Sequence, residues 1–510
     1  MLTSNISRKE LIKRSARLFH DKPAQVYEGK SLSFKEVDER ANRLANALIG
    51  LGLKPRDRVA TMMRNCLEYA ESEFAMVKGS FPQIPMNPRL TPQEQLFQLN
   101  ETETKVLILQ HHYLDVVKPI EKELKNLKIV VFGGKEPGML DYEELRASAS
   151  PDEPEGELNP EDTGEVRYTS GTTGVPKGIL LPHWSRLAIT RNFLMEHMAD
   201  FTSDDRFVAL QPFYHGAGWF ILPAWVRGGT NYIVPRYDPE IAFDLIEKEK
   251  ITVIKTVPTV LIRLLDAPDI KKRDLSSVKT IIYGGSPMPV ERLKEAMKIF
   301  GPVFLNLYGQ MEAAMTISLL RKDEHTPEHL GSVGRPCVFV NVKVVDDNGN
   351  ELSPGETGEV IINGDHQMIG YMNRPEATAE TIRDGWIHTN DLGMKDKDGY
   401  LYLSGGRKSE MIISGGLNVY PTEVEQVLYR HPAVSEAGVI GIPDPVWGEA
   451  VKACVVLKAG QKATEEEIIA ICKENLAGYK RPKSVDFLKE LPHNAAGKIV
   501  YGELRKLYKK

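Results

Sequence analysis

The run from Tyr168 to Gly178, YTSGTTGVPKG, gathers three glycines, four Ser/Thr hydroxyls and one lysine into eleven positions. It follows the strand-like EVRYT and precedes a helix-like stretch starting near His183. Backbone N–H groups around Gly171 and Gly174, with the hydroxyls of Thr169, Ser170, Thr172 and Thr173, suit a wrapped phosphate chain, and Lys177 supplies a counter-charge. A flexible surface loop would share this composition, but a Pro-Lys-Gly ending directly after a buried strand favours phosphate binding. The spacing is not a Walker A loop, since the chain's Gly29-Lys30-Ser31 has Ala24 where the first glycine should stand. HGAGWF fails the G-x-G-x-x-G pattern at Ile221. A P-loop NTPase and a dinucleotide dehydrogenase therefore lose their main support.

Other segments follow the loop in a set order: PFYHGAGW (212–219), YGGSPMP (283–289), LYGQMEA (307–313), GWIHTNDLG (385–393), GRKSEMIISGGLNVYP (406–421) and PHNAAGKI (492–499), with PFYHGAGW nearest to it. Over nearly its whole length the chain resembles the adenylate-forming ligases, a group that includes acyl-CoA synthetases, adenylation domains and firefly-type luciferases. The resemblance implies a two-step reaction. A carboxylate attacks the α-phosphate of ATP, giving an acyl-adenylate and pyrophosphate, and the thiol of coenzyme A then displaces AMP. Because the first step brings two anions together, charge must be neutralised, by Lys177, loop amides, Mg²⁺ and a further lysine.

The same resemblance assigns sites residue by residue. Glu312 is the expected Mg²⁺ ligand, a hard carboxylate oxygen of the kind that ion takes, with Thr172 as a second ligand. Adenine lies along Gly284, Gly285 and Ser286 and against the ring of Tyr308, where glycines allow close backbone approach and tyrosine offers a stacking face. Asn306 and Gly309 flank that ring. Asp391 is the expected ribose-hydroxyl acceptor, with Arg407 near the same sugar. Lys498 resembles a mobile lysine that reaches the α-phosphate and substrate carboxylate when the small domain closes. A swing about Arg407–Glu410 would withdraw it and present Gly415 and Gly416 along a pantetheine path.

His215 and Trp219 border the expected acyl site. The Trp resembles the gate of long-chain fatty acyl-CoA synthetases, although a packed core aromatic would look the same in sequence. With Phe213, Tyr214, Phe220 and Ile221 nearby, a medium- or long-chain fatty acid is the expected substrate, and an aryl or cyclic acid the alternative. Met311, where the group usually has threonine, lacks a hydroxyl expected to contact phosphate. Ser409 replaces the customary hinge Asp or Lys, and Asn390 a common glycine. These departures keep open a nucleotide-binding relative with weakened chemistry. His325 and His329 have i, i+4 spacing, but Pro327 between them disfavours the helix a metal pair would need.

These positions need a scaffold. The chain has 510 residues, 42% apolar and 26% charged, with 65 Lys+Arg against 70 Asp+Glu, so a large core can form and a dedicated nucleic-acid binder is disfavoured. Four scattered cysteines fit a reducing, cytoplasmic setting, with at most peripheral membrane contact. No run approaches a membrane span. A homodimer is an admissible assembly.

Capping-box spacing at Ser7/Glu10 and Ser33/Glu36 predicts two early helices. Apolar runs at 58–63, 105–110, 128–133, 251–257, 280–285 and 303–309 read as strands of helix-covered, largely parallel sheets. The expected fold is α/β: a large N-terminal domain over 1–405 with a β-rich subdomain over about 331–405, a hinge at 406–410, and a small mobile α+β domain over 411–510. Asn348-Gly349 predicts a hairpin turn, the last stretch two or three strands with helices, and the acidic segment 150–165 a solvated connection.

Overall fold

A computed structural model describes residues 6–508 except 125, 169–175, 408–409, 415–416, 446 and 496, and omits the side chains of 405–407. Local signals act where expected. Ser7 accepts from the Glu10 amide at 3.1 Å and caps the helix Arg8–Leu18. Ser33 and Glu36 form a reciprocal capping box at the start of Phe34–Gly50, an arrangement that contributes about 1 kcal/mol. That second helix buries Val37, Ala41, Leu44, Ala45 and Leu48 on one stripe.

Two large sheets carry the N-terminal body. In the first, of nine described strands, Phe304–Tyr308, Thr280–Gly284, Val253–Lys255, Arg206–Ala209, Thr230–Tyr232 and Pro23–Tyr27 lie side by side and parallel. The second, of eight described strands, runs parallel from Thr163–Tyr168 through Gln83–Pro85, Val59–Met62, Val106–Gln110 and Lys128–Phe132 to Leu140–Asp141. Their alternate residues face different cores: Ile282 and Val106 enter a core common to both sheets, whereas Ile281 and Leu107 pack beneath helices on opposite outer faces. Burial on both faces explains why these strands read as continuous apolar runs.

The β-rich segment is sewn into this body. Arg335–Pro336 pairs with the edge of the first sheet and Gly370–Tyr371 with Gly178–Pro182 of the second. The remainder forms a five-stranded antiparallel sheet ending in Leu401–Arg407. At Asn348-Gly349 the chain turns as expected, with Gly349 at φ +84 and a bridge between Val345 and Glu351. The last segment exceeds expectation, forming a sheet of five described strands in which short pieces such as Ile412–Ser414 and Leu417–Val419, with little pattern of their own, join the long pair Val434–Asp444 and Gly448–Leu457.

Segment 150–162 is exposed for most of its length but not loose. The Lys78 ammonium, itself buried, pairs with Glu153 at 2.6 Å and Asp38 at 2.9 Å, and Asn42 donates to Pro151 O. Residues 163–165 already belong to a strand. No helix among the described residues is long and apolar enough to cross a membrane. All four cysteines are buried and unpaired.

Candidate functional site

Gly284 and Tyr308 close two neighbouring parallel strands of the first sheet, and the ends of such strands are the usual place for a ligand. Thr280–Gly284 and Phe304–Tyr308 are neighbours, and a Cβ on Gly284 (φ +155) would stand 1.9 Å from Leu307 O, so only glycine fits there. Tyr308 Oη donates to Asp391 Oδ2 at 2.7 Å. Asp391 is set by the amide it donates to Thr389 Oγ1, and Arg407 stands opposite it across the strand pair. Asn390 adopts φ +58, a left-handed conformation asparagine tolerates, which accounts for its taking a glycine's place. The Ser286 hydroxyl is buried without a hydrogen-bond partner among the described residues. Asn306 turns its amide toward Ser332 O at 3.2 Å, so that group bonds to protein.

Lys498, from the last segment of the chain, stands beside the same strand end. It sits on a tight turn in which Asn494 Oδ1 accepts from the Lys498 amide, between the paired residues His493 and Ile499. Thr259 Oγ1 donates to Gly497 O at 2.6 Å and fastens that turn to the N-terminal body. A Cβ at Gly285 (φ +94) would lie 3.8 Å from Lys498 Cε. Gln426 and Ser435 add bonds to Val290 and Asp266 across the same boundary.

On the second sheet, Tyr371 lies beside Ile179. Its hydroxyl donates to Glu312 Oε1 at 2.9 Å, and Lys177 Nζ lies 4.9 Å from its ring centroid. Tyr371 thus joins the lysine and the carboxylate picked out from sequence; nothing in its own surroundings marked it. Gly309 cannot carry a side chain, because its Cβ would stand 2.3 Å from Met315 Cα in a loop where Ala314 and Met315 both have positive φ. Met311 packs against the main core and brings no hydroxyl. Thr169, Ser170, Gly171, Thr172, Thr173, Gly174, Ser409, Gly415 and Gly416 lie outside the described residues. Among the described residues, no group of three or more His, Cys, Asp or Glu side chains could hold a metal. His329 instead stacks on Tyr400.

The PFYHGAGW segment is clamped by distant residues. Asn65 bonds both Gln211 O and the Phe213 amide, Tyr69 Oη donates to Phe213 O, and Arg167 donates to Tyr214 O. His215 is half-buried with no partner for Nε2 among the described residues, and burial, reinforced by Arg167 and Lys498, lowers its pKa to about 3. Trp219 is 1% exposed. Its indole N–H donates to Glu165 Oε2 at 2.8 Å, while Arg167 and Arg186 lie 4.8 and 5.2 Å from its ring. Burial alone would raise the Glu165 pKa, but those two guanidinium groups outweigh it and hold the carboxyl below its ordinary range. The sequence picked out Trp219 but neither Glu165 nor the two arginines that fix it.

Comparison with known proteins gives the family. The family model described as AMP-binding enzyme matches residues 12–372, and that of the AMP-binding enzyme C-terminal domain matches 423–498. A feruloyl-CoA synthase from Amycolatopsis sp is 36% identical over 497 residues, covering 97% of this chain and 98% of its own. A long-chain-fatty-acid–CoA ligase from Bacillus subtilis (strain 168) is 34% identical, covering 97% and 93%. The crystal structure of the anthranilate CoA ligase AuaEII in complex with anthranoyl-AMP superposes with a TM-score of 0.93 at 28% identity, covering 100% of this chain and 99% of its own.

Proposed function

Because the chain belongs to the AMP-binding enzyme family, in its acyl-CoA synthetase group, and is an AMP-forming acid–CoA ligase, we propose that its acid is aromatic or cyclic and that Lys177, Glu312, Tyr308, Asp391 and Lys498 form its nucleotide site. The observation that carries the site assignment is Lys498, delivered by the C-terminal turn to within 3.8 Å of the space above Gly285. A carboxylate oxygen forms its bond to the α-phosphorus as the bond to pyrophosphate breaks. Lys498 offsets the charge gathering on both anions, and Lys177, braced on Tyr371, stands at the phosphate-loop end. The Tyr308–Asp391 pair suits a ribose hydroxyl and the orphaned Ser286 hydroxyl suits adenine.

Glu312 fits a magnesium ligand, since Tyr371 engages one carboxylate oxygen and Mg²⁺ needs only one or two protein carboxylates beside the phosphates. When bound, the ion supplies further neutralisation of phosphate charge. His215 stays neutral at physiological pH and offers its unpartnered Nε2 to the acid's carboxyl group. In the second step the sulfur of coenzyme A bonds to the acyl carbon, the bond to AMP breaks, and the thiol proton is lost. Withdrawal of Lys498 opens the route for the thiol.

Trp219 supports a compact ring acid. Swinging the indole aside would break a hydrogen bond to a charged carboxylate, about 1.5–3 kcal/mol, and two cation–π contacts. Trp219 therefore acts as a wall of the acid site, and an alkyl tunnel gated by it is disfavoured. The relative acting on a long-chain fatty acid supports the alternative reading. Acid-dependent pyrophosphate release, measured with and without coenzyme A on aryl, cyclic and graded fatty acids, tests both. The expected result is release and thioester formation with higher kcat/KM for ring acids. Faster turnover of fatty acids would overturn the ring assignment, and no release with any acid would support a relative with weakened chemistry.

A further inference from the structure

The two ends of the phosphate loop meet on one rung of the second sheet. Tyr168 closes the strand Thr163–Tyr168 and pairs with Gly178, which follows Lys177 and opens the strand Gly178–Pro182. Tyr168 Oη donates to Glu101 Oε2 at 2.7 Å. Glu101 is the last residue of the helix Pro92–Glu101, and its side chain is only 7% exposed. One turn earlier on that helix, Phe97 sets its ring edge-on to Tyr168, 6.4 Å between centroids.

The second oxygen of Glu101 is engaged as well. Oε1 pairs with Arg374 Nη2 at 2.9 Å. Arg374 belongs to the segment that carries Tyr371: its amide donates to Tyr371 O at 3.3 Å, and the Met372 amide donates to Gly178 O at 2.7 Å. Tyr371 in turn reaches Glu312 and Lys177. One carboxylate thus ties the start of the loop, through Tyr168, to the segment that meets its end. An acid at a helix C-terminus opposes the helix dipole, and a buried one needs partners. Glu101 therefore does little for its own helix, and what it holds lies in two segments distant in sequence.

We propose that Glu101 is a positioning residue for the triphosphate of ATP, which through Tyr168 and Arg374 holds both ends of the phosphate loop in place with the segment bearing Tyr371. The inference rests on the nucleotide-site assignment above and adds a residue outside every motif that pointed to that site. Glu101 touches no substrate itself. By fixing the frame beforehand it lowers the ordering cost of binding the phosphates. The second half-reaction starts from an acyl-adenylate, which has no triphosphate tail, so it does not draw on this frame.

The test measures acid-dependent pyrophosphate release against graded MgATP, and separately thioester formation from supplied acyl-adenylate and coenzyme A, in the full chain. Glu101→Leu removes both contacts, whereas Glu101→Gln keeps an acceptor for Tyr168 and loses the charge facing Arg374. Glu101→Leu should raise the KM for ATP about tenfold, the low end of what a hydrogen bond to a charged group can supply, and leave the second half-reaction unchanged. Glu101→Gln should fall between it and the parent. Because Glu101 acts partly through Tyr168, combining Glu101→Leu with Tyr168→Phe should raise KM by less than the product of the two single effects. Multiplicative effects, or equal losses in both half-reactions, would overturn the inference. So would an ATP KM unmoved by Glu101→Leu and Glu101→Gln while Lys177→Met raises it; a merely structural Glu101 gives that result together with a lower urea midpoint. Failure of the site assignment reads differently, as an ATP KM that Lys177→Met leaves unchanged, and it would take this inference with it.

Discussion

The hydrogen bond from Thr259 to Gly497 O makes the closed arrangement testable without touching a charged group. Thr259 is 9% exposed and its hydroxyl donates at 2.6 Å to the residue preceding Lys498. Thr259→Val keeps the shape and removes the donor. A neutral hydrogen bond contributes about 0.5–1.5 kcal/mol net, so near 1 kcal/mol the closed-to-open ratio falls about fivefold, within a range of roughly two- to twelvefold. In the proposed mechanism only adenylation needs Lys498 at Gly285. Acid-dependent pyrophosphate release should therefore slow by up to that factor, while thioester formation from supplied acyl-adenylate and coenzyme A is undiminished. Stopped-flow measurement of each half-reaction separates the two. Equal losses in both, or no loss in the first, would refute the reasoning, because this bond would then not bias domain closure.

Lys498→Ala should impair adenylation far more than thioester formation from supplied adenylate, and parallel losses would contradict its role. Trp219→Phe removes the indole donor to Glu165; it should lower stability by about 1.5–3 kcal/mol in urea melts without favouring longer acids, and a gain for long chains would restore the gate. Acid should unfold the protein through its buried neutral histidines. Burial above all lowers His183 and His197 to about 3 and His366 to about 4. Below pH ~6.5 the unfolded chain binds more protons at these sites, so stability present above that pH is lost down to about pH 3–4, at up to ~1.4 kcal/mol per pH unit per histidine. Glu425, raised by burial to about 7, opposes this between its folded and ordinary values and offsets about one histidine. Urea melts from pH 8 to 5 should show falling stability, and a flat or rising profile would refute the assignment of neutral histidines.

The ordered motifs pointed to the class of chemistry, acid–CoA ligation, because motifs of that kind need particular residue types at short range. Caps and strands were legible for the same reason: Ser33 and Glu36 interact across three residues, and strands buried on both faces are apolar throughout. Asn390 stood out in sequence only as a departure, and its positive φ, seen in the fold, explains the glycine usual there. What sequence could not supply were partners brought together by strand order. Tyr371 meets Glu312 across 59 residues and Glu165 meets Trp219 across 54. Thr259 meets Gly497 across 238. Periodicity says that a side chain is inside, not which neighbour shares its face, so Trp219 read equally well as a gate or as packing. Lys255 lies in the apolar run ITVIKTV, and only the folded sheet set it beside Phe220 with no carboxylate to meet it among the described residues. Composition and local pattern determined which chemistry this chain can attempt. Tertiary contacts, which depend on distant segments and leave no local trace, decided which side chains are held fast and which still lack a partner.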